Sequence, residues 1–167
     1  GRLMTTRNFI VTDAGGQLIA AASTLWAMID VKTRQPLDLR DNVDYSRALL
    51  AIPCPIDKPA KIGRIEGVPC DSRRVRYSDI DFNQHTNSMK YIQWMLDALP
   101  LEKLTGCRMK RLDVNFVHET RYGQQLVVCC EYGTDRDRFE IRFEDGTAAC
   151  KAAIRWETSD ERSNQTA

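Results

Sequence analysis

The sequence predicts an α+β fold in which an antiparallel sheet wraps around one helix, and two observations carry that expectation. Residues 87–99 bear a helical stripe, with Met89, Ile92, Leu96 and Leu99 at steps of three and four and Tyr91 and Met95 beside them. Asn87 is a natural N-cap for this helix, and Pro100 ends it. Strand patterns then follow at 112–117, 125–132, 138–144 and 147–157, with Gly123, residues 133–135 and Asp145-Gly146 as the turns between them. A sheet with one apolar face needs cover, and 87–99 is the only helix long enough to supply it. A curved antiparallel sheet on one central helix is the hot-dog architecture, one α+β arrangement among several that this pattern allows.

The remaining elements take their places around that core. Residues 7–12 read as a strand, 13–16 as a turn and 17–30 as a second, longer strand run, so the chain opens on a hairpin. Residues 33–36 break the pattern, and 42–50 could form a short helix capped by Asn42 or Asp44. Four prolines, at 53, 55, 59 and 69, mix with Lys and Gly to read as an extended linker. Beyond it, 73–77 is a short strand and 78–86 a polar loop, while 159–167 is a polar tail.

Composition narrows the class. The 167 residues carry a net charge of +1, with 43% hydrophobic and 28% charged residues, values of an ordinary folded chain rather than a disordered, collagen-like or coiled-coil one. No apolar run approaches the ~20 residues of a membrane helix. Near-zero net charge gives no reason to expect nucleic acid. The six cysteines include no CxxC pair, which removes zinc ribbons and thioredoxin motifs, and buried free thiols are the expected state.

Chemistry concentrates in residues 77–87, Tyr-Ser-Asp-Ile-Asp-Phe-Asn-Gln-His-Thr-Asn, which hold one of the two histidines. Asp79, Asp81 and Asn83 match the opening of a calcium loop, but Gln84 and Lys90 stand where such a loop needs Gly and Glu. Two readings survive. The residues tie a loop and cap a helix, or they form an acid–base site at a helix N-terminus, where free N–H groups suit a developing oxyanion and a histidine beside carboxylates moves a proton.

The run YSDIDFNQHTNSMKYIQWML resembles the motif leading into the helix of the acyl-ACP thioesterases. That family is built of two hot-dog domains in tandem, with Asp-x-Asn-x-His in the second. Residue by residue, the resemblance implies Asp81, Asn83 and His85 as catalytic, and Glu119 as the family's glutamate after the next strand. Thr120 stands where some members carry a cysteine, which argues against a cysteine nucleophile. Arg7-Asn8-Phe9, the run 22–28 and Thr33-Arg34 resemble the end of the family's first hot dog.

The expected organisation is therefore a remnant of a first hot dog at 1–52, a linker at 53–72, a second hot dog at 73–157 and a flexible tail at 158–167. The chain reads as an N-terminally truncated piece of a longer protein. The implied activity is hydrolysis of fatty acyl-ACP in the cytoplasm, or the plastid stroma in a plant, with no cofactor and no metal. Glu119 and His85 would activate water, Asn83 would hold the carbonyl or the water, and Asp81 would orient the loop or polarise the water. Backbone N–H groups across 86–88 would take the oxyanion, and Asp79 is structural. His118, if on the strand with Glu119, points to the opposite face. The implied partner is the acyl carrier protein, docking on a basic stretch of Lys58, Lys61, Arg64, Arg73, Arg74 and Arg76. Self-association through the sheet edge is also expected. The alternatives are a non-catalytic acyl-binding hot dog or inactive fragment, and a single hot-dog acyl-CoA thioesterase.

Overall fold

The computed structural model describes residues 2–42, 44 and 52–157. The chain divides into two compact units, Gly1–Pro59 and Ala60–Ala167. The helix expected at 42–50 and the tail at 158–167 fall outside the described residues, save Asn42 and Asp44. A helical turn, α1, is formed at Leu39–Asn42.

The first unit is an antiparallel hairpin of β1 (Thr5–Thr12) and β2 (Leu18–Trp26). Its turn is built by Asp13, whose carboxylate accepts from the N–H groups of Gly15 at 2.9 Å and Gln17 at 2.8 Å. Phe9, Ile10, Val11, Leu18, Ile19 and Trp26 are exposed on it.

The second unit is the hot dog. It contains β3 (Val68–Arg74), α2 (Ser88–Asp97), α3 (Leu101–Gly106), β4 (Met109–Phe116), β5 (Gln125–Glu131), β6 (Arg136–Phe143) and β7 (Ala148–Trp156). All pairings are antiparallel, in the order β3-β5-β6-β7-β4. Period-two alternation turns Leu126, Val128, Phe139, Ile141, Ile154 and their neighbours onto α2. Fully burying a side chain of this size is worth ~1.5–3 kcal/mol. Asn87 caps α2 as expected, its Oδ1 accepting from Met89 N at 2.9 Å. The buried stripe is rotated from the expected one. Tyr91, Trp94, Met95 and Leu99 face the sheet while Met89 is 63% exposed, because the two rings bring more apolar area to that face. Pro100 ends α2 but also caps α3.

The far side of the sheet carries a strap. Residues 60–66, within the stretch read as a linker, lie along it: Ile62 and Ile65 are buried against Ala153. Asn115 accepts from Ile62 N at 2.8 Å and Asp113 from Ala60 N at 3.1 Å. Gly67 then passes so close to the Cys130 backbone that a Cβ would sit 2.5 Å from it. A register jump between Pro69 and Asp71 sets Cys70 beside Cys130, and the two are disulfide-bonded with Cα atoms 6.1 Å apart. This corrects the expectation of free thiols for that pair; Cys54, Cys107, Cys129 and Cys150 are free. Burial pushes the Cys150 thiol up to about 12.

Glu140 anchors the strap. It accepts from Arg142 Nε at 2.7 Å and Ile65 N at 3.3 Å, with Lys151 Nζ at 3.3 Å. Burial pushes its carboxyl up, but the bonds from Arg142 and Lys151 outweigh burial and hold it below its ordinary 4.5. A carboxylate lowered on folding adds stability that is fully present above that ordinary value and is lost as pH falls through the folded one. Acid unfolding followed by circular dichroism should therefore be shallower below pH 4.5 in Glu140→Gln than in the parent. Identical acid slopes would contradict the assignment.

Candidate active site

The loop between β3 and α2 begins with a 3-10 turn at Tyr77–Asp79. Buried Asp79 holds this turn: its Oδ2 accepts from Arg76 N at 2.8 Å, its carbonyl from Asn87 N at 2.8 Å, and Lys90 Nζ lies 3.7 Å from Oδ1. Its contacts are those of the structural role expected for it.

Residues 81–85 form a tight reversal closed by the Ile80–Thr86 bridge. Asp81 N donates to the His85 carbonyl at 2.9 Å and Gln84 N to the Asp81 carbonyl at 3.0 Å. Gln84 sits at φ 63°, the left-handed conformation such a turn requires. Asp81 Oδ1 accepts from Asn83 N at 2.8 Å and, more weakly, from His85 N at 3.4 Å. The Asp81 carboxylate is thus the brace of the turn, and Asn83 is exposed on it.

Glu119 lies three positions beyond the end of β4, just after a bend at His118 rather than on the strand. Its Oε2 is 3.2 Å from His85 Nε2, with the imidazole 20% and the carboxylate 46% exposed. This contact joins two side chains of the set Asp81, Asn83, His85 and Glu119, while Asp81 meets Asn83 and His85 through their backbone N–H groups. His118 turns elsewhere, Nδ1 lying 2.9 Å from the Ala148 carbonyl. The strand alternation expected to separate it from Glu119 does not apply, because β4 has already ended.

A buried set of hydroxyls underlies the pair, and sequence reasoning missed it. Thr86 N donates to the Thr120 carbonyl at 2.8 Å, and Thr120 Oγ1 to Thr86 Oγ1 at 2.6 Å. Tyr91 Oη is 2.8 Å from Thr120 Oγ1 and accepts from Thr120 N at 3.1 Å. The available signal was adjacency: each threonine directly follows a predicted site residue. Backbone bonds also bear on the expected oxyanion donors. The N–H groups of Thr86 and Asn87 are both engaged, which narrows the expected 86–88 set to Ser88.

Sheet and central helix define the class, a hot-dog protein, and the histidine–glutamate contact lies where that helix begins. The sequence profile of the acyl-ACP thioesterase C-terminal domain matches residues 66–158, and the chain belongs to that family. A crystal structure of an acyl-ACP thioesterase from Bacteroides thetaiotaomicron is 32% identical, with a TM-score of 0.82 over 94% of this chain and 64% of its own. The 12:0-ACP thioesterase of Umbellularia californica, 19% identical, shares the fold at a TM-score of 0.77, over 94% of this chain and 62% of its own. A chloroplastic acyl-ACP hydrolase of Cuphea viscosissima is 26% identical over 98% of this chain. The chain spans 42% of the length of that Cuphea relative.

Proposed function

We propose that the protein carrying this chain hydrolyses the thioester of fatty acyl-ACP, releasing free fatty acid and so ending fatty acid synthesis. The observation that carries the reading is the His85–Glu119 contact, half open to solvent, beside the start of α2. Glu119 takes a proton from water as the water oxygen bonds to the thioester carbonyl carbon. His85 orients that carboxylate through Nε2–H. The oxyanion is met by the Ser88 N–H and by the Asn83 carboxamide, which lies on an exposed turn braced by Asp81. The C–S bond then breaks, and the proton held at the pair passes to the leaving thiolate.

Hydrolysis of a panel of acyl-ACPs of different chain length tests this, with free thiol and fatty acid expected in equal amounts. Turnover of acyl-CoA alone would move the reading to an acyl-CoA thioesterase. Binding of acyl-ACP without thiol release would leave an acyl-binding module.

The acyl carrier protein is the partner this reading requires. Arg73, Arg74, Arg76 and Lys90 line a polar cavity of about 360 Å³ with Asp71 and Asp79, and an acidic carrier would meet its excess of basic groups. Arg73 is already paired with Asp71 at 2.8 Å and Asp97 at 3.0 Å, which leaves the docking role to its neighbours. Among the described residues no helix is long and apolar enough to cross a membrane; a cytoplasmic or stromal location goes with the proposed activity. The hairpin's two-stranded sheet and its exposed apolar residues favour self-association of the 167-residue chain. Sedimentation should show oligomers at tens of micromolar, and a single monomeric species would contradict this.

A further inference from the structure

We propose that Tyr91, Thr86 and Thr120 act as a hydroxyl clamp that positions the His85–Glu119 pair; its meaning for turnover rests on the thioesterase reading above. The three are buried, at 4%, 6% and 0% exposure, so each polar group must find its partner inside the protein. They do so in one order: the Tyr91 O–H to Thr120 Oγ1, the Thr120 O–H to Thr86 Oγ1, and the Thr120 N–H back to Tyr91 Oη. Burial pushes the Tyr91 phenol up, so it stays a donor throughout the neutral range.

The clamp acts through chain geometry. Thr86 and Thr120 belong to two segments joined by the 2.8 Å bond from Thr86 N to the Thr120 carbonyl. Each threonine points inward and its preceding residue outward, His85 on one segment and Glu119 on the other. Fixing the inward hydroxyls therefore fixes the register of the outward pair at 3.2 Å. Tyr91 ties both segments to the body of α2, where its ring packs edge-on against Trp94 at 5.7 Å and Phe116 at 5.9 Å. Glu119 lies beyond the last residue of β4, between two anchors: the Val117 and His118 N–H groups donate to the Ala149 carbonyl at 2.9 and 3.0 Å on one side, and the clamp holds Thr120 on the other.

The test reads His85 directly. The chain has two histidines, so the ¹H–¹⁵N imidazole signals of the 167-residue protein are assigned with one His118→Gln control. Glu119→Gln defines how the His85 signals move when the carboxylate contact is lost. Tyr91→Phe and Thr120→Val should move them in the same direction, and Thr120→Ser, which keeps the hydroxyl, should leave them at the parent position. In acyl-ACP hydrolysis the first two should lose about 10- to 100-fold in kcat with little change in KM, the scale of a misplaced catalytic group, and Thr120→Ser should retain activity. Unmoved His85 signals in folded Tyr91→Phe and Thr120→Val would overturn the clamp. Failure of both to fold would also overturn it, making the hydroxyls supports of the fold rather than of the pair. If the signals move as expected while the parent hydrolyses no acyl-ACP, the clamp stands and the thioesterase reading falls.

Discussion

Alanine at Glu119 or at His85 should each lower kcat for acyl-ACP hydrolysis by ~10²–10⁴, the range for acid–base and oxyanion groups. The double variant should be little worse than either single one, because two groups in direct contact act as a unit. Asp81 and Asn83 should separate. The Asp81 carboxylate holds the backbone of the turn, so Asp81→Ala should lose both rate and about 1 kcal/mol of stability. Asn83 is exposed, so Asn83→Ala should lose rate at nearly unchanged melting temperature. If these residues only tie the loop, the pattern inverts: His85→Ala melts earlier while turnover per folded molecule survives. Melting curves and acyl-ACP hydrolysis on the same five variants distinguish the outcomes. Near-parent kcat in folded Glu119→Ala would remove Glu119 from the proposed mechanism.

What the sequence disclosed of this site, and what it hid, follows from range. Asn87 as a cap and the motif around Asp81, Asn83 and His85 are local features, and local chemistry is legible residue by residue. The strands at 125–132 and 147–157 were legible for a similar reason, since alternation and turn residues repeat within a few positions. The strap at 60–66 was not. The prolines that flank it and its own charges look like a solvated linker, while its partners Asp113, Asn115 and Glu140 lie on strands far along the chain. Thr120 read only as the absence of a cysteine, because its role needs Thr86 and Tyr91 beside it in space. Likewise the Cys70–Cys130 pair depends on a bulge at Cys70 that no spacing rule announces. The rotated stripe of α2 shows the limit of counting apolar residues: Trp94 outweighs Met89 in area, and area decides the buried face.

Helix α3 was missed altogether, because Pro100 looked like an end and none of its residues is buried. It is tied to the sheet by one lysine. Lys103 Nζ lies 2.6 Å from Asp137 Oδ1 and donates to the Gly133 carbonyl at 2.8 Å, above the Trp156 ring. Asp137 is fully buried, and its other donors are Trp156 Nε1 at 2.7 Å and Gly133 N at 2.9 Å. Removing the cation strands a carboxylate in the core, so Lys103→Met should cost ~3–5 kcal/mol, the scale of a broken buried ion pair. On a chain this size that is a fall of roughly 6–20 °C in Tm. Lys103→Met combined with Asp137→Asn leaves no charge behind and should recover a good part of the loss, although the Asn side chain can accept only one of the two remaining N–H bonds. The double variant melting above Lys103→Met alone is thus the distinguishing sign. A Lys103→Met protein within 1 °C of the parent would show instead that water reaches Asp137 when α3 lets go.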